Sequence, residues 1–267
     1  MKLAGTAALV TGSSRGIGRG IALALAEHGA DVAINYRADR PAAEAAAAEV
    51  RARGRRAAVL QADVTRPAEA PALVERAEEE LGPIDILVNN VGDFFWKPLM
   101  AMSADEWDTV LASNLTSVFH LCRAAVPRMR ARRRGRIVNI ALSPVHLVRG
   151  AANVAAYAIA KTGVVILTRS LAVEEAAHGI TVNCVSPGLI DNGYLPPEQE
   201  LWMRKRVPMG RLGTPQEIGG AVAFLASDLA SYVSGANLAV GGAWDWEDRP
   251  LGHDHIVQEL FTAQQGS

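Results

Sequence analysis

The sequence predicts an α/β fold, a single domain built on a doubly wound, seven-stranded parallel sheet with helices on both faces. Three observations carry this. Short apolar or β-branched runs alternate with longer helix-patterned segments almost to the C-terminus, as the strands and crossovers of a parallel sheet do. The first run ends in a glycine-rich turn that leads directly into a helical pattern. Apolar residues make up 49% and charged residues 21% of the 267 residues, too apolar for a disordered chain and enough to bury a sizeable core.

Taken in order, AALVT reads as the first strand and GIGRGIALALAEHG as the first helix. DVAINY follows as a strand, then PAAEAAAAEVRARG, whose alanines and glutamates are strong helix formers and whose Gly54 is a C-terminal stop. AAVLQADV and PAEAPALVERAEEELG form the third pair. IDILVNN precedes a long helix from about Ala104 to Arg132, and RIVNIAL precedes a helix from about Ala155 to His178. ITVNCVS and ANLAVGG complete the sheet. One unbroken scheme without a linker places the domain at residues 1–244. LIDNGYLPPEQELWMRKRVPMG breaks the rhythm and reads as a lid over about residues 189–212; residues 245–267 form a C-terminal extension.

A net charge of -1 offers no global electrostatic reason to expect nucleic acid or an anionic membrane as partner. The cysteines, Cys122 and Cys184, lack Cys-x-x-Cys spacing and read as buried hydrophobes of a reducing compartment. MKLAGTAALVTG lacks a signal peptide's apolar region and no run approaches a membrane span, so a cytoplasmic protein is expected. No metal site is expected either: His253 and His255 in LGHDHIV are a lone pair in a tail.

TGSSRGIGRG places Gly12, Gly16 and Gly18 at a strand-to-helix junction, where backbone N–H groups and a helix N-terminus can approach a pyrophosphate without Cβ interference. A site selecting NADH would end the second strand in Asp or Glu; here Tyr36 and Arg37 stand there. Arg15, inside the turn, adds a second guanidinium for a 2′-phosphate, so NADPH/NADP+ is the expected cofactor. The alternative is that both arginines are solvated surface residues.

TGSSRGIG, NNVG at 89–92, Asn114, Tyr157-x-x-x-Lys161 and SPGLI at 186–190 occur in one order. With them the chain resembles a short-chain dehydrogenase/reductase from about Leu3 to Gly242, with the Rossmann fold of that family. RGRIVNI, HGITVNCVSPG and GRLGTPQEIGGAVAFLASDLASYVSGANLAVGG are most similar to its 3-oxoacyl-carrier-protein reductase type. The resemblance implies a ketoreductase in which Tyr157 protonates the alkoxide formed by hydride transfer, Lys161 holds the nicotinamide ribose, and Asn114 holds a relay water. It also implies cofactor contacts from Ser14, Ile17, Asp63, Val64, Asn90, Gly92, Pro187, Gly188 and Ile190. Tyr157 and Lys161 are four apart and share a helix face. A free tyrosine near pKa ~10 is a poor acid–base group at neutrality, and a neighbouring ammonium together with the positive nicotinamide of the oxidised cofactor is expected to lower it.

After RIVNI, Leu142 stands where the family places its active serine, and the loop to Tyr157 is longer than in relatives. Ser143 is expected to take the role, held extended by Pro144, with its hydroxyl on the substrate oxygen. The alternative is a simple turn serine before proline. Phe94, Phe95 and Trp96 in DFFWKPLM, with Tyr194 and Trp202 in the lid, are candidate substrate contacts. RMRARRRGR, residues 128–136, reads as solvated cations favouring a helix dipole or as a docking patch for an acidic carrier protein. The expected partners are a small carbonyl substrate, free or carrier-bound, and three copies of the chain in a homotetramer. Rival readings are a pteridine reductase, another small-molecule dehydrogenase, or a non-catalytic NADP-binding scaffold.

Overall fold

A computed structural model describes residues 2–143, 150–193 and 195–244. The strands are β1 (Ala7–Val10), β2 (Asp31–Tyr36), β3 (Ala57–Gln61), β4 (Ile84–Asn89), β5 (Gly135–Ile140), β6 (Ile180–Pro187) and β7 (Asn237–Val240). They form one parallel sheet in the order β3-β2-β1-β4-β5-β6-β7. The order reverses between β1 and β4, which opens a crevice at the C-terminal ends of these strands.

On one face lie α1 (Gly16–Glu27), α2 (Arg40–Ala52) and α8 (Pro215–Ala226), with Leu25, Ile34, Val88, Val138 and Val222 fully buried between them and the sheet. On the other lie α3 (Glu69–Leu81), α5 (Ser117–Arg132) and α6 (Ala155–Glu175), packed on Leu9, Leu73, Leu87, Ile137 and Val182. Both faces are covered, so the central strands read as nearly continuous apolar runs. Cys122 and Cys184 are buried free thiols, each pushed up to about 12 by burial, as small unreactive hydrophobes should be.

Three expectations change. The long helix from Ala104 is two helices, α4 (Ala104–Leu111) and α5, joined by a π-helical turn at Ala112–Thr116. The lid segment contains a helix, α7 (Pro197–Arg204), with Gln199 buried beneath it. Residues 155–178 are long and apolar enough to cross a membrane by composition, contrary to expectation; here they pack on β6 and hold Tyr157 and Lys161.

The arginine run is neither a free cationic patch nor near the crevice. Arg128 and Arg132 bond Glu78 at 2.9 and 3.3 Å, and Arg130 Nε bonds Glu175 at 2.7 Å. Arg134 pairs with Asp85 and Arg136 with Asp228, each at 3.6 Å. The run spans the end of α5 and the start of β5, the sheet edge opposite the glycine turn. Its charges tie α5 to α3, α6 and the start of β4.

Candidate active site

The glycine turn leaves β1 at the crevice. Gly12 and Gly16 have φ of 60° and 55°, the left-handed region that a side chain disfavours. Gly18 packs so closely that a Cβ there would sit 2.2 Å from the Gly12 carbonyl oxygen. No side chain caps the first turn of α1, so its N–H groups face outward beside half-buried Ser14 and Ile17 and exposed Arg15. An uncapped helix N-terminus behind a turn that lacks Cβ atoms at Gly12, Gly16 and Gly18 fits a dinucleotide pyrophosphate.

Asn35 and Ser13, absent from the sequence-based set, brace this turn together with Asn90. Asn35 Oδ1 accepts from Gly12 N at 3.1 Å, while its Nδ2 donates to the Leu60 and Ala62 carbonyls at 3.3 and 3.2 Å. Ser13 Oγ accepts from Asn35 N at 3.1 Å. Asn90 Nδ2 donates to the carbonyls of Thr11 and Gly12 at 3.0 and 3.2 Å. The signal in the sequence was a polar residue, Asn35, inside the otherwise apolar strand DVAINY.

Around the turn, several expected contacts move. Tyr36 is 4% exposed and its ring packs in the core on the α2 side, because β2 is covered on both faces; Arg37 alone emerges. Val64 and Ile190 are likewise core side chains, Ile190 pinned by its bridge to Gly213. Asp63 accepts from Thr65 N and Oγ1 at 3.1 and 2.7 Å, so it does cap a turn. Burial raises the Asp63 carboxyl, but the Thr65 bonds and the nearby Arg37 and Arg66 outweigh this and leave it below the ordinary range. Asn192 Oδ1 lies 3.7 Å from where a Gly16 Cβ would be, so the segment after Pro187–Gly188 faces the glycine turn across the crevice.

Asn114 sits fully buried in the π-helical turn, an irregularity that re-aims side chains at functional positions. Its Nδ2 donates to the carbonyls of Asp93 and Val110 at 2.7 and 3.0 Å. Its Oδ1 is buried and has no partner among the described residues. A Cβ on Gly92 would lie 2.1 Å from that Oδ1 and 3.3 Å from Lys161 Nζ. The missing side chain of Gly92 therefore leaves one small space that an acceptor and an ammonium both face.

Lys161 is 3% exposed; its Nζ donates to the Ile140 carbonyl at 2.8 Å and stands 5.5 Å from the Tyr157 ring centroid. Burial pulls Lys161 down to about 8 and pushes Tyr157 up to about 12. The expected lowering of the phenol is not met in the protein alone: the ammonium is turned to Ile140, and desolvation dominates.

Ser143 is buried, unlike an ordinary turn serine, and donates its N–H to the Pro187 carbonyl at 2.9 Å. Its Oγ lies 3.5 Å from where a Gly241 Cβ would be, and Gly241 in turn packs on Gly188. Leu142 instead packs on the core. Pro144 lies outside the described residues, as do Tyr194, His253, His255 and the extension. Phe94 is half exposed, its ring 5.8 Å from that of Tyr157, and Phe95 packs on the buried cluster of Val110, Ala156 and Ala160 that Tyr157 also joins. Trp96 is half-buried; Trp202 has one face covered by the Arg206 guanidinium at 3.5 Å.

Comparison with known proteins places this geometry. A family model described as enoyl-(acyl carrier protein) reductase matches residues 12–243. The chain is 42% identical over 238 residues, 88% of its length and 96% of the relative's, to 3-oxoacyl-(acyl-carrier-protein) reductase of Staphylococcus aureus (strain Mu50 / ATCC 700699). A solved structure from Sinorhizobium meliloti 1021, described as a short-chain alcohol dehydrogenase, is similar at TM-score 0.86 and 35% identity, over 91% of this chain and 97% of that one. Another, described as a gluconate dehydrogenase from Agrobacterium tumefaciens, gives TM-score 0.83 and 39% identity, over 90% and 96%.

Proposed function

Since the chain belongs to the short-chain dehydrogenase/reductase family and is a nicotinamide-dependent oxidoreductase of carbonyl and hydroxyl groups, we propose that it is an NADPH-dependent ketoreductase with Tyr157 as proton donor. The observation that carries this reading is the shared space at Gly92, faced by Asn114 Oδ1 and Lys161 Nζ beside the Tyr157 ring. A bound water there satisfies the orphaned Oδ1 and links the lysine to solvent.

NADPH supplies the hydride that the carbonyl carbon receives. Gly12, Ser14, Gly16, Ile17 and Gly18 hold its pyrophosphate, Asp63 and the Val64 backbone border adenine, and Arg15 and Arg37 hold the 2′-phosphate. Asn90 keeps the glycine turn in shape, while Pro187 and Gly188 border the nicotinamide. Lys161 holds the adjoining ribose, and its positive charge favours phenolate once Tyr157 has given up its proton. Tyr157 donates that proton to the substrate oxygen, and Ser143 donates a second hydrogen bond to the same atom.

The substrate is a ketone of the 3-oxoacyl-thioester or polyketide type. Phe94, exposed against Tyr157, supports an apolar body next to the carbonyl. Relatives whose names differ in substrate leave this choice to assay. The catalytic domain is residues 1–244, with 189–212 as its lid. Self-association, in the homotetramer we propose, is supported by Phe119 on α5 and by Ile159, Ile166 and Val173 at seven-residue spacing on α6, all exposed.

The test is NADPH oxidation over acetoacetyl thioesters, free and carrier-bound, quinones, cyclic ketones and pterins. Turnover of ketones or thioesters is expected; preference for pterins would make the protein a pteridine reductase. Tight NADPH binding with no turnover on any carbonyl would make it a scaffold. Arg37→Asp should shift preference to NADH, and an unchanged preference would remove the NADPH assignment.

A further inference from the structure

We propose that Asp93 is a specificity-determining residue of the dinucleotide site: its carboxylate tethers Arg37 and competes with the 2′-phosphate for that guanidinium. The proposal rests on the NADPH reading above. Asp93 directly follows Gly92 on the β4 side of the crevice, while Arg37 follows β2, and their side chains meet at 3.7 Å.

The meeting is built rather than incidental to a loose loop. The Asp93 N–H donates to Ser113 Oγ at 3.1 Å, and its carbonyl accepts from Asn114 Nδ2 at 2.7 Å. Both backbone groups are thus bolted to the π-helical turn that carries the buried amide of the site, and the carboxylate projects from a fixed base. Asp93 and Arg37 line an open groove of about 420 Å³ together with Thr65, Asp105, Asp108 and Thr109. Asp105 and Asp108 add two further carboxylates to the lining that Asp93 and Arg37 share. Asp63, on the other side, also feels the charge of Arg37.

A 2′-phosphate approaching Arg37 must displace a carboxylate already paired with it and enter a field that opposes its own charge. NADH meets neither obstacle, because its ribose hydroxyl is neutral. Asp93 therefore narrows the preference that Arg15 and Arg37 would otherwise produce.

The test is calorimetric binding of 2′,5′-ADP and 5′-ADP to the full-length protein at fixed ionic strength. Asp93→Asn keeps the shape and both backbone hydrogen bonds, and is expected to tighten 2′,5′-ADP about fivefold, the scale of one partly exposed ion pair, with 5′-ADP unchanged. In an Arg37→Ala background the same substitution should lose that gain, because the tether is gone. Unchanged or weaker 2′,5′-ADP binding by Asp93→Asn overturns the proposal, as does a gain of the same size without Arg37. Weaker 5′-ADP binding also overturns it, since Asp93 would then be accepting from the ribose. If Arg37→Ala alone leaves 2′,5′-ADP binding intact, the NADPH reading falls; if it weakens binding while Asp93→Asn does nothing, only the role of Asp93 falls.

Discussion

Lys161→Met should make the protein more stable at neutral pH while abolishing turnover. Lys161 is 3% exposed, and burial brings its ammonium from an ordinary 10.5 to about 8. That difference amounts to about 3 kcal/mol held against the folded state. Below about 8 the lysine is protonated whether folded or unfolded, so the folded state carries the whole penalty. Between about 8 and 10.5 the unfolded chain keeps a proton that the folded chain has released, so wild-type stability rises with pH across that window. Methionine fills nearly the same volume and carries no charge, but it forfeits the bond to the Ile140 carbonyl, worth about 1 kcal/mol. The variant should gain about 2 kcal/mol near pH 7, and this advantage should shrink and reverse by about pH 10.5. Urea unfolding of both proteins at matched concentration, at the two pH values, measures it. A variant less stable near pH 7, or a difference that does not change with pH, would refute the claim that this buried ammonium is the strained element of the site.

Ser143→Ala should lower kcat about 10²–10³-fold with a modest change in KM if its hydroxyl binds the developing oxyanion; near wild-type turnover would reduce Ser143 to a packing residue. Asn114→Ala should lower kcat about 10²-fold and leave dinucleotide affinity intact. A loss of affinity instead would mean that its bond to the Asp93 carbonyl matters more than its free oxygen. Gly18→Ala places a carbon 2.2 Å from the Gly12 carbonyl oxygen, so it should cost about 1–3 kcal/mol in unfolding and remove NADPH binding measured by fluorescence. Full binding would show that the turn can open.

Regular features were legible because they repeat or sit at special backbone positions. The alternation of AALVT, DVAINY and IDILVNN with helical runs is forced by a sheet covered on both faces, and Gly12, Gly16 and Gly18 mark backbone that no side chain could follow. Tyr157 and Lys161 were readable through the family resemblance of the Tyr-x-x-x-Lys motif, and residues four apart on a helix share a face. That the side chains of Tyr36, Val64 and Ile190 turn into the core was not readable, because strand-end position in sequence does not say which way a side chain points. The ion-pair partners of the arginines in RMRARRRGR, Glu78, Glu175, Asp85 and Asp228, could not be read from the sequence because they are far away in the chain.

By itself the sequence determined the architecture and the glycine turn after the first strand, set by local periodicity and backbone geometry, and its ordered motifs pointed to Asn114, Tyr157 and Lys161 as the proposed proton-transfer residues. Tertiary structure alone decided what those groups feel. It brought Asn114 and Lys161 to one space at Gly92, turned the lysine toward Ile140, buried Ser143 beside Pro187, and set Asp93 against Arg37. Charge, desolvation and hydrogen bonding depend on distance through space, and the groups that meet in this crevice come from strand ends and turns far apart along the chain.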